Sequence, residues 1–175
     1  ALRSDPVSAF GGVVLFNKNI DALLAKKINE RFFEVIVAPR INKKTLEVFK
    51  FKKKLIVIDL KDLKENKNKI NFKSVNSGTL YQEENKYKIT ESKIKLVSSI
   101  PLSKKRIDDL IFAFKVVKHV KSNAVVLVNN KQTLGIGAGQ MSRLDSTRMA
   151  ILKYKDFFKN NKFVCASDAF FSFTD

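Results

Sequence analysis

Cysteine and histidine are almost missing from this chain: one of each occurs in 175 residues. The lone Cys165 excludes an intramolecular disulfide. One Cys and one His also exclude a zinc site of the usual His/Cys kind. Arginine is scarce too, supplying only six of the 34 basic residues, whereas specific phosphate and base contacts favour Arg. Long apolar runs are lacking. No stretch approaches the ~20 residues that a membrane span needs, and the opening Ala-Leu-Arg-Ser-Asp-Pro has no signal-peptide core. These lacks point to a cytosolic chain that begins mid-sequence.

Acidic residues are half as numerous as basic ones, 17 against 34, which leaves a net charge of +17. That charge suits a nucleic-acid binder. Equally, it suits a solvated basic surface that attracts small anions. The lysines are dispersed, with short clusters at Lys43-Lys44, Lys52-Lys53-Lys54 and Lys104-Lys105. The second reading fits that dispersal better.

The hydrophobic share of 45% is ordinary for a globular protein. A chain this long can bury about two-thirds of its unfolded surface. Residues 10–16 read as a strand entered through a glycine pair. A helix starts at Asp21 with Leu23, Leu24, Ile28 and Phe32 at helical spacing. Phe33 to Ala38 is an apolar strand, Lys43 to Phe51 a helix, and Lys54 to Asp59 a buried-type strand. This strand–helix–strand rhythm implies a largely parallel sheet. Residues 61–71 are polar and read as a connection. Short strands flank Ser77-Gly78, and Glu83 to Lys86 suggests a turn. Lys104 to Val120 is predicted as a helix burying Ile107, Leu110, Ile111, Phe114 and Val117. Strands follow at Asn123–Val128, Thr133–Ile136 and Phe163–Ala166, with a helix at Met141–Phe158. The division expected is a first α/β part over 1–60, a connecting segment over 61–103 and a second α/β part over 104–175.

Few residues carry chemistry, and each has a plain reading beside a functional one. Gly135, Gly137 and Gly139 form a corner that either admits a ligand to the backbone or makes a tight turn. Gln140 stands where a dinucleotide fingerprint needs glycine. Arg143 either forks onto a carbonyl or phosphate or pairs with Asp145 on the surface. Asn123, at a strand entrance, is either a cap or an amide placed for chemistry. His119 at a helix end is accounted for by the favour shown to cations there. Cys165, in Phe163-Val164-Cys165-Ala166, reads as a small buried hydrophobe.

Five strings occur in order: SDPVSAFGG (Ser4–Gly12), EVIVAP (Glu34–Pro39), KSNAVVLVNN (Lys121–Asn130), GIGAGQMSR (Gly135–Arg143) and ASDAFFSF (Ala166–Phe173). Together they resemble the aminoimidazole carboxamide ribonucleotide (AICAR) transformylase domain of bifunctional purine-biosynthesis enzymes. The resemblance implies an α/β fold, three-layer α/β/α with a mixed sheet, cytidine deaminase-like but without that fold's zinc. It implies formyl transfer from 10-formyltetrahydrofolate, a co-substrate, to the 5-amino group of AICAR, with no transition metal.

By the same resemblance, Asn123 is a catalytic amide, and Arg143 and Phe170 bind the nucleotide. Asp5, Phe10 and Gly11 line the pocket, and Gln140 and Met141 lie on the folate side. A structural potassium site lies beside Ser122 and Asp168 in some members. A homodimer is implied, with no membrane and no specific nucleic acid as partner.

Three departures accompany the resemblance. The family's catalytic Lys-His pair lies upstream of the segment matching Ser4. His119 stands where relatives have an aromatic, and Ser172 replaces a proline. The cyclohydrolase domain is expected to be absent and the isolated chain inactive. Two alternatives remain: a basic nucleic-acid-binding domain, and an inactive ligand-binding fragment.

Overall fold

The computed structural model describes residues 2–63, 70–158 and 162–171. The fold is α/β, and the chain divides into two compact units: residues 7–85, and residues 1–6 with 86–175.

In the 7–85 unit, strand β1 (Gly12–Leu15), helix α1 (Ala22–Asn29), strand β2 (Phe33–Ala38), helix α2 (Lys43–Phe49) and strand β3 (Ile56–Asp59) follow one another. They form a parallel sheet in the order β1-β2-β3. Each helix begins where a side chain can accept an orphan amide. Asp21 accepts from the Leu24 N–H at 2.7 Å, and Asn42 from the Thr45 N–H at 2.8 Å. The core comprises Ile20, Ala25, Ile28, Phe33, Ile36, Ala38, Ile41 and Phe49. Thr45 is fully buried, and its hydroxyl donates to the Ile20 carbonyl at 2.9 Å.

Three expectations need correction here. Helix α1 buries Ala25 and Ile28 but leaves Leu23 68% exposed, and Phe32 lies beyond its end. An eight-residue helix is too short to carry the longer stripe. β3 is not a buried strand: Ile56 and Ile58 are 57% and 42% exposed. The turn lies at Asn76-Ser77 rather than at Glu83–Lys86. Strands β4 (Ile70–Val75) and β5 (Gly78–Glu83) pair antiparallel from Val75↔Gly78 to Ile70↔Glu83, so Glu83 ends a strand. Most of the polar connection expected over 61–71, residues 64–69, lies outside the described residues.

The second unit holds helix α3 (Lys104–Val117), strands β6 (Val125–Asn129) and β7 (Gln132–Gly137), helix α4 (Arg143–Phe157) and strand β8 (Val164–Ser167). The sheet order is β7-β6-β8, antiparallel throughout. Parallel and antiparallel pairing thus both occur, in separate sheets. β6 runs through the centre, with Val125 to Val128 all buried. Its alternate side chains serve two helices. Val126 and Val128 join Ala113 and Val117 of α3, whereas Val125 and Leu127 join Leu134 and Ala150 on the α4 side. This unit is a three-layer α/β/α sandwich.

α3 departs from the expected face. It buries Asp109, Ala113 and Val117, with Leu110, Phe112 and Val116 packed nearby, and leaves Phe114 42% exposed. Small Ala113 lets the helix approach the sheet closely. The same rotation delivers the Asp109 carboxylate to the β6–β7 turn, where it accepts from the N–H groups of Asn130 (3.0 Å) and Lys131 (2.7 Å). Both turn residues have left-handed backbones, φ +52° and +53°. That is the geometry of a two-residue hairpin loop, here built without glycine and held by a buried acid.

Candidate functional site

The glycine corner is differently constructed from either reading of it. Gly135 and Gly137 lie inside β7 and face α4. A Cβ at Gly135 would stand 2.0 Å from the Ala150 carbonyl oxygen, and one at Gly137 would stand 1.8 Å from that of Ser146. These two glycines let a helix lie directly on a strand. Only Gly139 (φ +64°) makes the turn, its N–H donating to the Lys121 carbonyl at 2.8 Å.

The close packing sets where α4 begins. Ser142 caps it, accepting from the Asp145 N–H at 3.0 Å, and Arg143 is its first residue. Ser146, fully buried one turn later, donates to the Asn123 carbonyl at 2.7 Å. Arg143 therefore lies beside the entrance to β6 and the end of β8. One nitrogen of its guanidinium donates to the Ser167 hydroxyl at 2.6 Å and to the Asp168 carboxylate; the other donates to the Asn123 Oδ1 at 2.9 Å. The Arg143 and Asp168 side chains are each 17% exposed. The surface pair with Asp145 is not formed. Asp145 instead engages Ser142 and Arg148.

Asn123 is held on every side. Its amide donates to the carbonyls of Gln140 (3.0 Å) and Met141 (3.1 Å), and its own N–H also donates to Gln140 at 3.2 Å. Both side-chain N–H groups are therefore spent on backbone carbonyls. Oδ1 carries the Arg143 bond and has one lone pair remaining, since a carboxamide oxygen accepts two bonds.

Asp168 lies just past β8. Desolvation works against its ionisation, but donors outweigh it: the Ser122 hydroxyl, Arg143 and the Ala124 N–H at 3.0 Å. Together they hold the carboxyl down at about 2. The cluster of Ser122, Asn123, Arg143, Ser167 and Asp168 carries one positive and one negative side chain, so it is neutral in sum. The Asp168 carboxylate expected beside a potassium ion accepts from Arg143 and from the Ala124 N–H through Oδ1.

The other expected residues are more scattered. Gln140 and Met141 reach the cluster through their carbonyls; the Met141 side chain is fully exposed. Phe170 is 79% exposed, two residues beyond Asp168. Asp5 lines a separate shallow hollow with Ser4, residues 133–136 and Lys153, and Thr133 donates to Ser4 at 3.2 Å. Phe10 and Gly11 belong to the 7–85 unit. There the Phe10 ring lies 4.9 Å from that of Phe32, and Gly11 (φ +67°) donates to the Phe32 carbonyl at 3.1 Å. Ser172 lies outside the described residues.

Cys165 is not the buried hydrophobe expected. It is exposed on β8, which among the described residues is bonded to β6 alone, although desolvation still raises its thiol pKa. His119 is exposed, two residues past the end of α3. Asp109 escaped the sequence reading, because a lone acid in an apolar stripe looks like an interruption rather than a turn support. Among the described residues no helix is long and apolar enough to cross a membrane.

The AICARFT/IMPCHase bienzyme family matches residues 1–153. Bifunctional purine biosynthesis proteins PurH resemble the chain along its whole length. That of Wigglesworthia glossinidia brevipalpis is 45% identical over 177 residues, covering 100% of this chain and 33% of its own. That of Buchnera aphidicola is 42% identical over 178 residues, covering 100% and 34%, and that of Caldicellulosiruptor bescii 41% over 173 residues, covering 99% and 33%. The chain spans about a third of the length of these curated relatives. Together, the match over residues 1–153 and this resemblance along the chain establish that it belongs to the AICARFT/IMPCHase bienzyme family.

Proposed function

We propose that the chain is part of a purine-biosynthesis enzyme and carries one wall of the site that moves a formyl group from 10-formyltetrahydrofolate to AICAR. The observation that carries the reading is the convergence of Asn123, Arg143 and Asp168 from three separate segments, Arg143 following glycines packed hard against α4. A guanidinium, a carboxylate and a carboxamide meet there at the mouth of a sheet.

The neutral sum of the cluster favours a neutral partner. Asp168 already balances Arg143, so a phosphate gains less there than a carboxamide, which can hydrogen-bond without adding charge. In this reading Arg143 and Ser167 hold the AICAR carboxamide, and the exposed Phe170 ring lies against the base. Asn123 keeps one lone pair on Oδ1 with which to accept from the 5-amino group. That amine attacks the formyl carbon and forms the new C–N bond. The bond to the folate nitrogen breaks, and the proton lost by the amine passes to the leaving nitrogen. The Lys-His pair that the family places upstream of the segment matching Ser4 carries that transfer, and Gln140 and Met141 lie on the folate side. The working enzyme is a homodimer in the cytoplasm, and its cyclohydrolase activity belongs to a part of the polypeptide outside this chain.

The test is single-turnover formyl transfer by a polypeptide of the relatives' length carrying Arg143→Ala, beside its binding of AICAR by calorimetry. Loss of AICAR binding with folate binding intact is the expected result. Unchanged affinity for both would remove the cluster from the site.

A further inference from the structure

A hollow of about 230 Å³ opens where β6 ends and β8 begins. Lys105 and Arg106 reach it from the first turn of α3, Asn129 from the end of β6, and Lys162 and Phe163 from the approach to β8. Asp109 also lines it. The Arg143 cluster lies at the other end of the same two strands, around Asn123 and Asp168. About 20 Å of extended chain separates Asn123 from Asn129.

Three cations meet there against one acid, a surplus of two positive charges. The acids of the region are engaged elsewhere. Glu91 pairs with Lys104, and Asp108 with Lys131 at 3.0 Å. Both Asp109 oxygens accept from the N–H groups of Asn130 and Lys131. Among the described residues no ion pair or side-chain hydrogen bond engages Lys105, Arg106 or Lys162. Arg106 is nonetheless half-buried. A guanidinium drawn partly out of water without an acceptor leaves its donors unmet. A concave, positively lined site focuses anions.

We propose that this hollow binds a phosphate dianion, either inorganic phosphate or the phosphate of a small monoester. A phosphate monoester near neutral pH carries about −1.5 to −2 charges, which matches the surplus. The neutral Arg143 cluster offers no such match. Arg106 forks onto two phosphate oxygens, as a planar guanidinium does. The two lysines add compact charges, and the Asn129 amide adds a neutral donor. Sites that enclose a drug-sized ligand measure roughly 300–1,000 Å³. At about 230 Å³ this one takes a phosphate with at most a small appendage. Phe163, whose ring meets that of Tyr154 edge-on at 5.1 Å, gives the appendage an apolar wall. The inference does not rest on the formyl-transfer reading, since it concerns the opposite end of the sheet.

The test is acylation of lysines by a succinimidyl ester, read residue by residue by peptide mass mapping, in a polypeptide of the relatives' length. Inorganic phosphate and glycerol phosphate are titrated separately at constant ionic strength. A ligand well above its dissociation constant leaves about a tenth of the sites open, so Lys105 and Lys162 are expected to slow together by about tenfold. Lys52, Lys53 and Lys54 are expected to keep their rates. The probe with the lower midpoint identifies the source of the phosphate. Equal slowing of all lysines would reveal general screening of a basic surface and overturn the proposal. Lys105 and Lys162 unaffected by both probes would overturn it as well. Slow acylation of these two before any phosphate is added would mean that the rest of the polypeptide fills the hollow, and would overturn it equally. Arg106→Ala is expected to raise the midpoint by about tenfold, the scale of losing a charge-assisted contact, with melting close to that of the parent. An unchanged midpoint in that variant counts against the proposal. The protection pattern of the parent needs no variant, so the proposal stays testable if Arg106→Ala fails to fold.

Discussion

Gly137 and Ser146 touch backbone to backbone: a Cβ on the glycine would lie 1.8 Å from the serine carbonyl oxygen. The same serine donates its hydroxyl to the Asn123 carbonyl at 2.7 Å. This contact sets the position of α4 on β7, and with it the place of Arg143, three residues earlier. Gly137→Ala is therefore expected to cost about 3 kcal/mol or more, because the blocking atom is backbone and cannot rotate away. Urea titration measures it. Gly78→Ala, with nothing within 4 Å, is the control, expected to stay within about 0.5 kcal/mol. Equal costs at the two sites would contradict the role given to the contact.

Arg143 bridges three acceptors on two segments, and no Lys can reproduce that fork. Arg143→Ala leaves the Asp168 carboxylate without its counter-charge. The expected loss of AICAR binding in the full enzyme is on the order of 2–5 kcal/mol, with Arg143→Lys recovering little of it. Calorimetry on both variants measures the loss, and a Lys variant that binds like the parent would show that charge alone suffices.

For Asn123→Asp, sequence reasoning expects a rate loss of roughly 10²-fold or more, the scale of losing one oxyanion donor, with stability changing less than activity. The structure alters both parts: the side-chain N–H groups are already engaged, so a rate loss would come from the acceptor at Oδ1 and not from a lost oxyanion donor. Both amide N–H groups of Asn123 face carbonyls, so a carboxylate would oppose two oxygens with Asp168 close by. Stability is expected to fall as well, by about 1–3 kcal/mol. Thermal melting beside single-turnover rates separates the two effects. A variant with parental melting and a depressed rate would restore the simpler view.

Asp168 titrates at about 2, below its ordinary value of 3.8. A carboxyl depressed in the folded state stabilises the fold at pH above the unfolded value. That contribution fades as pH falls from about 4 to about 2. Between pH 6 and 2.5 the parent should lose more stability than Asp168→Asn, whose amide does not titrate. Urea midpoints across that range measure the difference, and parallel pH profiles would show that Asp168 is not held by its neighbours.

Local signals made several elements legible. Asp21 announces a helix start because a short side chain caps whatever tertiary context follows. Val125 to Val128 reads as a strand because it is apolar on both sides. The five ordered strings likewise carry the family resemblance without any coordinates. Burial was less legible. Ile107, Ile111 and Phe114 look like a core face on α3, yet small Ala113 and buried Asp109 decide its rotation, since the Asn130-Lys131 turn needs an acceptor that lies about twenty residues away in the chain.

By itself the sequence determined the order of strands and helices, the cap at Asp21, the basic character and the family, all of which depend on neighbours along the chain. Tertiary structure alone decided the partners. It turned Gly135 and Gly137 from a corner read as either a ligand seat or a tight turn into a seat for α4, because a strand and a helix approach that closely only where no Cβ intervenes. It joined Arg143 to Asp168 rather than to nearby Asp145, because β8 returns antiparallel beside β6 and delivers a carboxylate from 25 residues away to the guanidinium.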